Sequence, residues 1–226
     1  MKTLAKLPVT IVTGFLGSGK TTLLRHMLDN AQGRRIAVIV NEFGELGIDG
    51  EILKQCSIGC TEEEANGRVY ELANGCLCCT VQEEFFPVMR ELVARRGDLD
   101  HILIETSGLA LPKPLVQAFQ WPEIRSACTV DAVITVVDAV HGDKQLDEHT
   151  EAQEQVGFAD RILMSKVDLA DQAGQDRLRE RLMRINPRAP IKPVNFGNAP
   201  IAEILDIRGF NLNAILEIDQ IGRAHV

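Results

Sequence analysis

The stretch at residues 14–21, GFLGSGKT, decides the fold, because it fits the phosphate-binding pattern G-x-x-x-x-G-K-[ST]. An apolar run at residues 9–13 comes directly before it, and a helical pattern over residues 21–28 follows directly. In this arrangement, backbone N–H groups and the positive end of a helix face phosphate oxygens. The sequence therefore predicts a P-loop, and a chance glycine-rich turn is the alternative.

The residues of this loop have distinct predicted roles. Lys20 is predicted to reach the β- and γ-phosphates and to act in catalysis, and the Thr21 hydroxyl is predicted to hold Mg²⁺. Further nucleotide contacts are predicted along the loop and the first helical turn, at Gly14, Gly17, Ser18, Gly19 and Thr22.

Short β-branched runs alternate with helical patterns along the rest of the chain. Continuous apolar runs are typical of parallel strands that are buried on both faces. The strands are predicted at residues 9–13, 36–40, 102–105, 132–137, 162–164 and 191–194, and the helices at 21–28, 81–95 and 172–185. This alternation predicts an α/β fold with a doubly wound, mostly parallel sheet, whose ligand lies at the carboxyl ends of the strands.

The composition suits a globular protein and limits its partners. Of 226 residues, 45% are hydrophobic, and the formal net charge is −8. This acidic balance gives no general reason to bind nucleic acid or an anionic membrane. No apolar run approaches the roughly 20 residues that a membrane-spanning helix needs. We therefore expect a cytoplasmic location, without a nucleic-acid or membrane partner.

Two later strand ends carry residues that suit nucleotide binding. In HILIETSG, Glu105 ends a strand where a carboxylate can face Mg²⁺ and the attacking water, and the N–H of Gly108 can sense the γ-phosphate. In SKVD, Ser165, Lys166 and Asp168 are similar to the N-K-x-D segment of GTPases, with serine in place of asparagine. The aspartate can accept two hydrogen bonds from guanine, which adenine does not offer, so GTP is favoured over ATP. An ordinary strand-to-loop turn is the alternative.

Three cysteines, Cys76, Cys78 and Cys79, fall within four residues. Thiols this close cannot all pair internally with good disulfide geometry, but they can converge on one soft or borderline cation such as Zn²⁺. Three thiolates leave a fourth position open, which suits a metal that is passed on. The pattern therefore predicts a metal site, with buried cysteines or a redox sensor as the alternatives.

The segment NEFGELGIDG, residues 41–50, carries three acids and three glycines after the second strand. A loop of this kind beside the phosphates is typical of a switch segment, which could link the nucleotide state to the metal site. A solvated loop without such a role is the alternative.

Together these motifs resemble those of the CobW-like, YjiA-type metal-chaperone P-loop GTPases, relatives of the nickel-insertion GTPases for urease and hydrogenase. The matching pieces are TGFLGSGKTTLLRH, VNEFGELGIDG, ELANGCLCCTV, ILIETSGLALPKPL, VVDAVH and SKVDL, in family order over residues 7–169. The resemblance implies GTP hydrolysis with Mg²⁺, and Zn²⁺ or a related ion such as Co²⁺ at the three cysteines. It also implies Glu42, Glu45 and Asp49 as contacts for Mg²⁺, water or metal, and it places Cys79, Thr80 and Val81 near the nucleotide.

The function that this resemblance implies is a slow GTPase that holds a metal at the CxCC motif and delivers it to a client metalloenzyme. Glu42 or Glu105 would position the attacking water, and a homodimer around the nucleotide is one expected arrangement. The alternatives are a non-catalytic, nucleotide-binding metal store or sensor, and a cobalamin-biosynthesis accessory protein that handles Co²⁺. A small-molecule P-loop kinase is a further alternative, but it leaves the CxCC motif unexplained.

The predicted P-loop GTPase domain, with its CxCC metal motif, takes residues 1–200. Residues 201–220 are predicted to begin a linker or C-terminal region, and we expect the C-terminal domain usual in the family to be truncated in this chain. The last six residues, IGRAHV at 221–226, match a translated sequencing adapter, so we expect them to be a non-native tail.

Overall fold

A parallel β-sheet runs through the middle of the molecule in the computed structural model of this chain. The structure describes residues 5–41, 67–72 and 85–210, with the backbone alone at Asn41 and at 67–72. The described strands are β1 Leu7–Thr13, β2 Ile36–Asn41, β3 Gly67–Leu72, β4 His101–Glu105, β5 Cys128–Asp138, β6 Arg161–Ser165 and β7 Ile191–Pro193. They pair in the order β3-β2-β4-β1-β5-β6-β7, and every pair is parallel.

Helices connect these strands over the described ranges. They are α1 Lys20–Asp29, α2 Phe86–Ala94, α3 Pro112–Ala118, α4 Pro122–Ala127, α5 Gly142–Glu148, α6 Thr150–Gly157 and α7 Gln172–Ile185, with short 3₁₀ turns at Val167–Leu169 and Ile201–Glu203. The sequence patterns do not predict α3 to α6, because these helices have only six to eight residues and show no long apolar period. Strand β3 is likewise not predicted.

Proline sets the start of three helices. Pro87, Pro112 and Pro122 each lie in a first turn, where the missing N–H has no intrahelical partner to lose. The helix predicted over 81–95 therefore begins at Phe86 in the structure, and residues 81–84 lie outside the described part.

Helices pack on both faces of the sheet, which confirms the predicted doubly wound α/β fold. The alternation along β1 shows how: Val9 and Ile11 pack with α2, α3 and α4, whereas Val12 packs with α1. A separate cluster packs α5, α6 and α7 against β5 and β6. Within the described ranges, no helix has the length and apolar character to cross a membrane.

Some predicted boundaries are wrong by a few residues. Strand β5 runs from Cys128 to Asp138, because Cys128 and Thr129 extend the pairing with the start of β1. Strand β7 ends at Pro193. Ile204 and Leu205, which follow the predicted GTPase domain, are buried in the cluster that contains α1. The domain boundary after residue 200 stays a prediction.

Candidate nucleotide-binding site

The predicted P-loop lies between β1 and α1 at the carboxyl end of the sheet. Its three glycines have positive φ angles, 142° at Gly14, 71° at Gly17 and 98° at Gly19, a region that side chains disfavour. A Cβ atom on Gly14 would lie 2.2 Å from the carbonyl oxygen of Val136 in β5. The loop therefore needs glycine for its backbone angles and, at Gly14, also for its closeness to the sheet.

Two polar side chains of this loop, Lys20 and Ser18, are buried. Lys20 is only 7% exposed, and its Nζ donates to the Phe15 carbonyl oxygen at 3.1 Å. The buried Ser18 hydroxyl has no hydrogen-bond partner among the residues that the structure describes. Because buried polar groups are almost always paired, the Ser18 hydroxyl fits a phosphate group that supplies an acceptor.

A carboxylate and a hydroxyl meet beside the loop. Thr21 Oγ1 donates to Glu105 Oε1 at 3.1 Å, and Glu105 ends the buried strand β4. Carboxylate and hydroxyl oxygens are hard ligands of the kind that Mg²⁺ takes in proteins, together with phosphate oxygens and water. The pair therefore fits a magnesium ion bound next to the phosphates.

The loop after β4 is held against the P-loop. A Cβ atom on Gly108 would lie 2.7 Å from the backbone nitrogen of Leu16, so the two loops touch. From α6, the buried Gln155 donates its Nε2 to the carbonyl oxygens of Gly108 and Ala110, both at 3.0 Å. Gln155 thereby fixes the position of the loop that carries the predicted γ-phosphate contact.

Ser165, the last residue of β6, and Lys166, which follows it, hold the P-loop from the other side. Ser165 Oγ donates to the Ser18 carbonyl oxygen at 2.6 Å, and Lys166 Nζ donates to the Gly17 carbonyl oxygen at 2.8 Å. Two adjacent side chains thus hold two adjacent carbonyl groups. Although Ser165 replaces the asparagine of the N-K-x-D pattern, its hydroxyl makes a direct hydrogen bond to the phosphate-binding loop.

Asp138, at the end of β5, braces this arrangement. Its Oδ2 accepts from Lys166 Nζ at 2.7 Å and lies 3.1 Å from His141 Nδ1, while its Oδ1 accepts from the Val140 N–H at 2.7 Å. Burial raises the pKa of Asp138, but the hydrogen bonds from Lys166, His141 and the backbone outweigh it and hold the pKa below its usual value. The carboxylate is therefore charged at neutral pH and fixes Lys166 against the P-loop.

A cavity of about 200 Å³ opens between the P-loop, the loop after β6 and the loop after β7. Asp168 lines it together with exposed Leu169 and Phe196. The backbone N–H of Asp168 donates to Asn195 Oδ1 at 3.3 Å, which joins the second and third loops. The full lining is Ser18, Gly19, Thr22, Leu23, Val136, Ser165, Lys166, Asp168, Leu169, Val194, Phe196 and Gly197.

The structure brings the described part of the predicted site to one end of the sheet. This described part of the predicted site consists of Gly14, Gly17, Ser18, Gly19, Lys20, Thr21, Thr22, Glu105, Gly108, Ser165, Lys166 and Asp168. The other predicted residues lie outside the described residues: Glu42, Glu45, Asp49, Cys76, Cys78, Cys79, Thr80 and Val81. The described ranges hold no group of three or more His, Cys, Asp or Glu side chains that could bind a metal. Cys128, the cysteine that they do include, is buried, and burial raises its pKa to about 11, so its thiol stays protonated.

Sequence reasoning assigned no role to Asp138, Gln155, Leu169 or Phe196. For Asp138 a signal existed, because it ends an apolar strand just as Glu105 does. The contacts of Gln155, Leu169 and Phe196 depend on loops that are far apart in the chain, and no local pattern announces them.

The sequence matches a known protein family along most of its length. The family profile described as "CobW/HypB/UreG, nucleotide-binding domain" matches residues 8–193. The zinc chaperone CobW of Pseudomonas aeruginosa is 65% identical over 97% of this chain and 64% of that protein. The zinc chaperone YjiA of Escherichia coli is 41% identical over 90% of this chain and 62% of that protein.

A solved structure of a relative also matches this chain. The crystal structure of the Zn(II)-bound YjiA GTPase from E. coli superposes with a TM-score of 0.69 and 35% identity, over 92% of this chain and 64% of that one. The chain spans between 51% and 64% of the length of the curated relatives that it matches here.

Proposed function

This chain belongs to the CobW/HypB/UreG family of nucleotide-binding domains, and from that premise we propose that it is a GTP-dependent zinc metallochaperone. It binds and slowly hydrolyses GTP, holds Zn²⁺ at Cys76, Cys78 and Cys79, and delivers the ion to a client metalloprotein. Support for zinc comes from the names of its relatives, which are zinc chaperones, and from the three clustered thiols in its own sequence.

One observation carries the nucleotide half of the proposal: the phosphate-binding loop and the Asp168 loop are joined directly. Ser165 and Lys166 each donate to a P-loop carbonyl oxygen, and the cavity that Asp168 lines begins at that junction. A nucleotide bound there places its phosphates on the P-loop and its base beside Asp168. The carboxylate then accepts two hydrogen bonds from guanine, which selects GTP over ATP.

For hydrolysis, the chain supplies charge and geometry around the γ-phosphate. The Lys20 ammonium group, which donates to its own loop, turns to the β- and γ-phosphate oxygens. Gly108 offers its N–H from a loop that Gln155 holds in place. Glu105 or Glu42 orients the attacking water. Thr21 and Glu105 would hold Mg²⁺, which neutralises charge on the phosphates when it is bound.

In this proposal Zn²⁺ is the ion that the protein delivers. The pairing of the strands indicates how bound GTP can change the affinity for that ion. Val40 pairs with Glu105, and Asn41 pairs with Leu72, so β2 and β3 end side by side at the carboxyl edge. Asn41, the last described residue before Glu42, therefore follows the residue paired with Glu105, and Leu72, the last described residue before the three cysteines, is paired with Asn41. A nucleotide that contacts the segment after Asn41 can change the zinc affinity of the segment after Leu72.

The test is steady-state hydrolysis of GTP and ATP, with and without stoichiometric Zn²⁺, for the chain and for its Cys78→Ala variant. We expect slow, GTP-selective turnover that responds to Zn²⁺ only when Cys78 is intact. A matched Cys128→Ala variant, which removes a buried thiol away from the motif, should respond to zinc like the unmodified chain. Zinc binding without any GTP hydrolysis would contradict the GTPase proposal and favour a metal store or sensor.

A further inference from the structure

The turn that follows β7 is held in place by contacts with β6 on one side and with α1 on the other. On one side, the Val194 N–H donates to the Met164 carbonyl oxygen at 2.8 Å, which continues the pairing of β7 with β6. On the other, a Cβ atom on Gly197 would lie 2.7 Å from the Thr22 carbonyl oxygen, so the turn presses on α1. Two backbone hydrogen bonds, Asn198 N–H to Asn195 O and Ala199 N–H to Gly197 O, close the turn.

Phe196 lies in this turn, and both its backbone conformation and the exposure of its side chain are unfavourable. Its φ angle is 49°, in the left-handed region that bulky side chains rarely adopt. Its side chain is also 81% exposed, so the ring gains little from burial. Because strained backbone and an exposed aromatic ring coincide in a fixed turn, the residue suits a contact with something outside the chain.

The surroundings of Phe196 define what that contact can be. Phe196 lines the same cavity as Leu169, which is 69% exposed, and Asp168. Flat apolar surface beside a carboxylate suits a planar aromatic ligand that donates hydrogen bonds from its edge. The hydrogen bond from the Asp168 N–H to Asn195 Oδ1 joins the Asp168 loop to the residue that precedes Phe196.

We infer that Phe196 is the base-stacking residue of the site: its ring covers one face of a purine while Asp168 binds the purine edge. This inference rests on the proposed GTP-binding function and deepens it. The two residues divide the selection of the nucleotide. Stacking favours large purine bases over smaller pyrimidines, and the carboxylate then separates guanine from adenine.

The test is the dissociation constant of GDP and of inorganic pyrophosphate, measured by calorimetry with Mg²⁺ for the chain and its variants. Phe196→Ala should weaken GDP binding by about 5- to 150-fold, the range that loss of one base–aromatic stack gives. Pyrophosphate binding should stay the same, because it has no base. Phe196→Tyr, which keeps a ring, should bind GDP like the unmodified chain, and so should Met183→Ala, which removes an exposed apolar side chain from α7.

The outcomes separate the inference from the proposed function. Unchanged GDP affinity in Phe196→Ala would overturn base stacking and leave the GTPase proposal standing. Equal losses of GDP and pyrophosphate affinity would also overturn it, since Phe196 would then support the loop rather than the base. If the unmodified chain bound pyrophosphate but not GDP, the proposed function itself would fail, and the inference with it.

Discussion

The two ends of the sheet are built from the same strands, yet they use their polar side chains differently. At the carboxyl end, Glu105, Asp138 and Ser165 terminate three strands and hold loops around the P-loop. At the amino end, His101 begins β4 and Asp160 directly precedes β6, and both bond to groups within the sheet. The comparison shows that one end is organised for a ligand and the other for the stability of the fold.

At the amino end of the sheet, polar side chains are hydrogen-bonded to other groups of the same chain. The Asp131 carboxylate accepts from the backbone N–H groups of Ile207 and Arg208, at 3.0 and 2.8 Å. His101 Nε2 and Thr10 Oγ1 share a hydrogen bond of 2.8 Å. Variants at the carboxyl end should therefore change nucleotide binding, and variants at the amino end should change stability and leave binding intact.

The largest effect is expected for Gly14→Ala, which tests the carboxyl end. The new Cβ atom would lie 2.2 Å from the Val136 carbonyl oxygen, and the φ angle of 142° adds strain. We expect a loss of more than about 3 kcal/mol in the free energy of unfolding, measured by urea denaturation, together with loss of pyrophosphate binding.

Gly33→Ala is the matched control for backbone strain alone. Gly33 has a φ angle of 79°, but a Cβ atom added there would have nothing within 4 Å, and the residue lies outside the P-loop. This variant should lose about 1 kcal/mol and keep full pyrophosphate affinity. Equal losses of stability in both variants would show that the close approach at Gly14 does not matter.

The next effect is expected for Asp131→Ala at the amino end. The change leaves the N–H groups of Ile207 and Arg208 without their acceptor, which should cost about 3 kcal/mol in the free energy of unfolding. GDP affinity should stay unchanged. Asp206→Ala, which removes a surface ion pair with Arg34, should cost less than about 1 kcal/mol. A clear loss of GDP affinity in Asp131→Ala would contradict the view that the amino end contributes to stability and not to nucleotide binding.

A third effect concerns the pH dependence of stability at the amino end. Burial lowers the pKa of His101 to about 4, so its contribution is complete above its unfolded value near 6.5 and is lost as the pH falls. Burial raises the pKa of Asp160 to about 6, so its contribution is present in acid and is lost as the pH rises through that value. The two slopes oppose each other between pH 4 and 6.

Single variants should separate these slopes. In Asp160→Asn only the His101 slope remains, so the free energy of unfolding should rise by about 2 kcal/mol more between pH 4 and 6.5 than in the unmodified chain. In His101→Gln only the Asp160 slope remains, and the difference should have the opposite sign. Denaturation curves at several pH values measure both. If both variants kept the slope of the unmodified chain, neither group would be titrating as described.

The smallest effect is expected for Asp138→Asn, which sharpens the view of the carboxyl end. The variant keeps the shape of the side chain but loses the charge that holds Lys166 against Gly17. We expect about a tenfold loss of affinity, near 1.4 kcal/mol, for both GDP and pyrophosphate, because Gly17 belongs to the phosphate-binding loop. Asp147→Asn, on the exposed face of α5, should change neither. Unchanged pyrophosphate affinity would show that the contact between Lys166 and Gly17 does not support phosphate binding.

The carboxyl end was predictable from the sequence where its chemistry is local. The P-loop glycines, Lys20 and Thr21 lie within eight residues, so their spacing alone predicts a phosphate-binding loop. The strands that bring Glu105 and Ser165 to the same edge follow from continuous apolar runs. The sheet itself was therefore foreseeable, apart from β3.

The rest of the site depends on tertiary contacts. Phe196 lies 27 residues beyond Leu169, on a different loop, and the packing of Gly197 on α1 and the hydrogen bond from Asp168 to Asn195 bring the two loops together. Gln155 acts through carbonyl oxygens of a loop more than 40 residues away. The contacts at the amino end could not be predicted from the sequence either, because Asp131 is an isolated acid in the sequence and its partners are backbone groups.

The most direct test of the central claim is the linkage between nucleotide and zinc. Calorimetry would give the affinity of a non-hydrolysable GTP analogue with and without bound Zn²⁺, and the affinity of Zn²⁺ with and without that analogue. We expect both affinities to change by the same factor, about fivefold or more, and the factor to fall to one in Cys78→Ala. Equal affinity of the GTP analogue for the zinc-free and zinc-loaded chain would contradict it.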